Sequence, residues 1–158
     1  MAFRVSGLEY EPFAKLFGMT DAQLKERHAI RRVVDEKPGY PCRVSLQDAE
    51  IGETVLLINH EHLAVASPYR ASHAIYVREN AQRPSLDVNE IPEVLRSRLL
   101  SLRAYDRDGM MLEADVIHGK ELEPLIHRML ANERVAFIHA HNAKPGCFAA
   151  RIDRVAWA

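Results

Sequence analysis

Cysteine is scarce in this chain: Cys42 and Cys147 are the only two in 158 residues. That excludes the disulfide framework that holds small secreted domains together, and both are expected as thiols in a reducing cytosol. No apolar run approaches the roughly 18 residues that span a bilayer, and Met1 to Gly7 shows no apolar signal-peptide stretch. The expectation is a cytoplasmic protein with no membrane partner. The seven glycines are scattered at positions 7, 18, 39, 52, 109, 119 and 146, so neither a phosphate-cradling P-loop nor a dinucleotide fingerprint exists and no nucleotide cofactor motif is found. Gly-x-Ser-x-Gly, Cys-x-x-Cys, His-Glu-x-x-His and calcium-loop patterns are also missing.

An excess of one charge is missing too. The net charge is -1, and acidic and basic residues balance in both halves of the chain. Proteins that grip phosphate backbones concentrate Lys and Arg on one face, so nucleic acid is excluded as the expected partner. The local cluster Arg27, His28, Arg31 and Arg32 is answered by Asp35 and Glu36 and reads as a solvated face.

What remains is ordinary globular material, 47% hydrophobic and 27% charged, long enough for one domain over residues 1–158. A short strand is expected over Phe3 to Leu8. A helix follows from Glu11 to Phe17, with Pro12 in its first turn and Gly18 in the left-handed position after its end. Thr20 and Gln23 form a capping-box pattern for a second helix reaching Ala29. Ile30 to Val34, Glu53 to Asn59 and His73 to Arg78 read as strands, while Pro38 to Arg43 and Ala81 to Pro92 read as loops.

Leu99 to Tyr105 and Met110 to Ile117 flank Asp106-Arg107-Asp108-Gly109, a hairpin signature. Leu122, Leu125, Ile126, Met129 and Leu130 repeat at helical spacing and predict a helix over Glu121 to Leu130. Val135 to Asn142 and Cys147 to Val155 complete a second hairpin. The fold class is therefore α+β, an antiparallel or mixed sheet with about three helices mainly on one face.

Three segments carry the unusual polar residues: Pro38-Gly39-Tyr40-Pro41-Cys42-Arg43, Ser67-Pro68-Tyr69-Arg70-Ala71-Ser72-His73, and His141-Asn142 followed by Gly146-Cys147. Together, and in this order, they resemble the bacterial family catalogued as domain of unknown function 1203, over nearly the whole chain. The resemblance implies a bacterial, single-domain protein. It carries no activity, ligand or catalytic residue onto these positions.

The residues themselves suggest several chemistries. His139 and His141 are two apart on a predicted strand and share a face, so with Cys147 (or Cys42) they form a candidate zinc set. Whether Cys147 joins that face depends on hairpin length: a three-residue loop puts Cys147 and Arg151 there, and a four-residue loop puts them opposite. Zinc is possible but not favoured, because an isolated His-x-His is a weak signal and such histidines commonly hydrogen-bond near a core. His60 and His62 repeat the pattern and read as an exposed strand end.

Cys42 beside Arg43, or His139 and His141, are the candidates for catalysis if the protein is an enzyme, with Asn142 orienting a histidine. A Cys42–Cys147 redox pair would depend wholly on the fold. Arg43, Tyr69, Arg70 and His73, with Ser72, would suit a small anionic ligand, whereas Arg70 paired to Glu61 or Glu79 would only tie loops together. The leading expectation is a small-molecule-binding or enzymatic domain with an Arg/His/Cys-lined cleft. Its rivals are a noncatalytic structural or interaction domain that forms a homodimer, and a zinc-binding domain.

Overall fold

A computed structural model describes residues 1–156. Eight strands form two antiparallel sheets. The larger sheet has the order β1-β8-β7-β5-β6, from β1 (Phe3–Ser6), β5 (Leu99–Tyr105), β6 (Met111–His118), β7 (Phe137–Asn142) and β8 (Phe148–Arg154). The smaller sheet has the order β2-β3-β4, from β2 (Ala29–Val33), β3 (Thr54–Leu63) and β4 (Ala71–Arg78). Four α-helices accompany them: α1 (Glu11–Ala14), α2 (Asp21–Glu26), α3 (Glu93–Arg96) and α4 (Leu122–Leu130). Among the described residues no helix is long and apolar enough to cross a membrane. The α+β class holds, but the single sheet of the sequence reading is two sheets, each with its own helical cover.

The periodicity of α4 explains the cover of the larger sheet. Leu122, Leu125, Ile126, Met129 and Leu130 are all buried, and they pack with Leu100, Leu102, Ala104, Ile138, Ala140 and Ile152 in one core. Each such aliphatic side chain contributes about 1.5–3 kcal/mol by leaving water. The smaller sheet is covered from the N-terminal side, where Phe13, Leu16 and Leu24 pack against Leu56, Ile58, Ile75 and Val77.

Local chemistry accounts for most of the boundaries. The capping box at Thr20 is complete, with Gln23 N–H donating to Thr20 Oγ1 at 3.2 Å and Thr20 N–H donating to Gln23 Oε1 at 2.9 Å. That helix stops at Glu26 rather than Ala29, because His28 takes a left-handed conformation (φ 54°) and β2 begins directly after it. The first helix tightens into a 3-10 turn over Lys15–Gly18, and Gly18 is not in the left-handed region expected of it. At the β5–β6 turn, Asp106 Oδ1 accepts from the backbone N–H of Asp108 and Met110 (2.9 and 3.0 Å), and Gly109 supplies φ 77°.

Register decides which side chains face the site. On one face of the larger sheet Leu100, Leu102 and Ala104 lie opposite Asn142, Ala140 and Ile138, toward the helical core. On the other face Ser101, Arg103 and Tyr105 lie opposite His141, His139 and Phe137. That second face meets the end of the smaller sheet, and the histidines meet there.

Candidate metal centre

His139 and His141 do share a face of β7, as strand alternation requires. The hairpin to β8 has four residues, Ala143 to Gly146, with Asn142 N–H donating to the Cys147 carbonyl at 2.9 Å. Cys147 therefore lies opposite Asn142, away from the histidine face. A one-residue bulge follows, since Ala140 pairs with Ala150 while His141 pairs with Phe148. Phe148, directly opposite His141, is already on the histidine side, and the extra residue, Ala149, returns Arg151 to it opposite His139.

The smaller sheet supplies the other two rings. His73 sits near the start of β4, opposite His60 on β3. A bulge between His60 and Leu63 breaks the alternation of β3, and His62 reaches across the gap between the sheets. Its ring stacks parallel to Phe148 (centroids 5.4 Å, 6°) and meets His141 edge-on at 4.9 Å. His62 Nε2 and His73 Nδ1 are 3.0 Å apart. One ligating nitrogen each from His62, His73 and His141 lies within 4.8 Å of the others.

The protonation pattern suits a ligand set. His141 Nδ1 lies 2.9 Å from the Gly146 carbonyl, which can only accept, so Nδ1 carries the proton and Nε2 keeps its lone pair. That Nε2 is buried and without a hydrogen-bond partner, as are His62 Nδ1 and His139 Nδ1. An orphaned buried polar atom costs about 1–3 kcal/mol, which a metal on Nε2 would relieve. A carbonyl on the second nitrogen of a ligating imidazole is the usual way to fix its tautomer.

Burial keeps these rings neutral. His139 and His141 are 3% and 0% exposed, and desolvation, with neighbouring cations and rings adding, takes His139 to about 3. Burial also pushes His141 to about 3, against the opposing effect of its bond to Gly146. His62 falls to about 4, by desolvation first and then by His73, and burial lowers His73 as well. Near neutral pH the imidazoles are therefore neutral, each with one N–H and one nitrogen lone pair.

The other candidates divide between this centre and other roles. Tyr69 reaches its edge, with its ring 6.4 Å from that of Tyr105, and His139 packs between Phe137, Tyr105 and Phe148. Arg70 is committed to Glu61 by two bonds, 2.9 and 3.0 Å. Arg43 is buried and donates to the Phe148 and Pro41 carbonyls and to Cys147 Sγ (2.7, 2.5 and 2.9 Å), so it braces the hairpin from the far face. Asn142 Nδ2 also points at Cys147 Sγ, at 3.7 Å, and does not orient a histidine. Cys42 is 1% exposed within the smaller sheet's core, and both cysteines are free.

His62 stands at the end of β3 as the sequence suggested, but partly buried against the larger sheet rather than exposed. The repeated His-x-His pattern was its signal, but the bulge that turns this strand end toward the larger sheet has no signature in the sequence. Arg103, opposite His139, gave no signal either. A surface cleft of about 280 Å³ beside Ser45, Gln47, Glu53 and Arg78 is separate from the histidines. Arg78 and Glu53 there neutralise each other through two bonds of 2.6 Å.

The family model described as "Protein of unknown function (DUF1203)" matches residues 39–154. That span contains all four clustered histidines. No curated protein and no solved structure matches the chain.

Proposed function

The chain belongs to the DUF1203 family, and for this member we propose a metal-dependent small-molecule enzyme or binding protein built on His62, His73 and His141. The observation that carries the reading is the convergence of three neutral imidazoles from two sheets, with His141 Nε2 unpartnered and its Nδ1 pinned to a carbonyl. Imidazole ligands suit Zn²⁺, Cu²⁺, Fe²⁺ or Ni²⁺, and three protein ligands plus an open position are the pattern of catalytic rather than structural zinc. Bonds of about 2.0–2.1 Å in a tetrahedron place ligand nitrogens about 3.3 Å apart, close to the His62–His73 separation of 3.0 Å.

A bound metal would polarise a water or a substrate oxygen at its open position. The chain's own part is to hold the imidazoles in orientation and to shield them with Phe148 and Tyr105. His62 and His73 are only partly buried, so a small molecule has an approach from their side. We further infer a cytoplasmic setting in a bacterium from the family resemblance and the two free thiols.

The test is zinc titration into chelator-stripped, tag-free protein by calorimetry. One ion per chain is expected. His62→Ala, His73→Ala and His141→Ala should each weaken binding by more than the roughly 10–100-fold that losing an outer-sphere partner costs, with His60→Ala as a control that leaves it unchanged. Equal zinc affinity in all four variants would reduce the cluster to a hydrogen-bonded polar core.

A further inference from the structure

Among the described residues, six arginines are withdrawn wholly or partly from solvent: Arg31, Arg43, Arg78, Arg98, Arg103 and Arg154. Five spend terminal guanidinium nitrogens on protein oxygens. Arg31, Arg78 and Arg98 bind the carboxylates of Asp21, Glu53 and Asp48, and Arg43 and Arg154 bind backbone carbonyls. Arg103 alone binds neither a carboxylate nor a carbonyl. Its Nε donates to Ser101 Oγ at 3.3 Å, and its other oxygen neighbour is the Tyr105 hydroxyl, a neutral group that leaves its charge unanswered.

The place of this guanidinium matters as much as its lack of an anionic partner. Arg103 is the direct cross-strand neighbour of His139, on the face that carries His141 and Tyr105. Its charge is felt at His62, His73, His139 and His141, and at the Tyr105 hydroxyl. The carboxylate felt at His62 is that of Glu61, which is already committed to Arg70. A divalent metal on three neutral imidazoles keeps its full charge, so the loaded site would hold two cations side by side with no resident anion between them. A ligand carrying an oxyanion removes that repulsion and fills the guanidinium fork, whose geometry matches carboxylate and phosphate.

We propose that Arg103 anchors the anionic group of a small molecule, a carboxylate or a phosphoryl group, whose other end lies at the metal held by His62, His73 and His141. The proposal rests on the metal reading and narrows its substrates to small oxyanions. Ser101 orients the guanidinium through Nε, and the Tyr105 hydroxyl beside it offers a further hydrogen bond to the anion.

Cobalt(II)-loaded protein, whose visible spectrum reports on coordination, provides the test. Inorganic phosphate and acetate are titrated separately into the wild type, Arg103→Gln and Arg103→Lys. One cobalt per chain is expected in all three, with anion affinity lowered roughly tenfold or more in Arg103→Gln, as for loss of a charged hydrogen bond. Arg103→Lys, which keeps the charge without the fork, should recover part of the loss. Phosphate binding without acetate binding assigns a phosphoryl group, and the reverse assigns a carboxylate. Normal cobalt loading with the same anion affinity in wild type and Arg103→Gln, or no binding of either anion to the wild type, would overturn the anchor and leave the metal site standing. Failure of the wild type to take up cobalt would overturn both.

Discussion

Acid should destabilise the metal-free protein well before its carboxylates titrate. In the unfolded chain His62, His139 and His141 take their protons near 6.5, whereas in the folded protein they do so at about 4, 3 and 3. Lowering the pH below 6.5 therefore protonates the unfolded chain and not the folded one, so stability is fully present above that value and is lost as pH falls toward the folded values. Three protons taken up on unfolding give a slope of about 4 kcal/mol per pH unit, and the loss between about pH 7 and pH 5 comes to about 5 kcal/mol. A domain of this kind has only about 5–15 kcal/mol in total.

Glu53, the carboxylate held low by Arg78, starts to matter only below its ordinary value of 4.5, so the upper part of the window isolates the histidines. Urea melts of chelator-treated protein followed by far-UV circular dichroism measure the slope directly. His139→Phe, which keeps an aromatic ring among Phe137, Tyr105 and Phe148, should lower it by about one proton's worth, roughly 1.4 kcal/mol per pH unit. Stability that stays flat between about pH 7 and pH 5 would refute the burial argument for all three rings.

Replacing Gly119 with Ala should destabilise the domain by about 3 kcal/mol or more, the upper end of overpacking costs. The added Cβ would sit 1.8 Å from the Leu95 carbonyl oxygen, and a wild-type urea midpoint in Gly119→Ala would contradict the close approach of α3 to the turn before α4. A thiol reagent should modify one cysteine quickly in the native protein and the second only on unfolding. Cys147 is partly exposed and Cys42 is 1% exposed, so mass spectrometry showing Cys42 labelled first would contradict the placement of the smaller sheet's core.

Elements that follow from a local pattern were legible in the sequence. The apolar stripe of α4, the Thr20 capping box and the Asp106–Gly109 turn each depend on residues within a few positions of one another. The division into two sheets was not, because it depends on which strands find each other across long separations, such as β1 with β8. The candidate site divides the same way. Alternation paired His139 with His141, and the four-residue hairpin then took Cys147 to the opposite face. One bulge turned His62, at the end of β3, toward the larger sheet, and another returned Arg151 to the histidine side. Bulges are single-residue changes of register with no compositional mark, so a reading by period 2 fails there. Arg70 found Glu61, one of the two acids the sequence offered it, while the cation without an anionic partner proved to be Arg103, whose significance rests on its cross-strand partner rather than on its sequence neighbours.

X-ray absorption at the zinc edge of the loaded, tag-free protein examines the three-histidine centre most directly. The predicted first shell is three imidazole nitrogens at about 2.0–2.1 Å with one further light-atom ligand. A sulfur scatterer at about 2.3 Å would instead put Cys147 or Cys42 on the metal, and would contradict the assignment of His62, His73 and His141 as the ligand set.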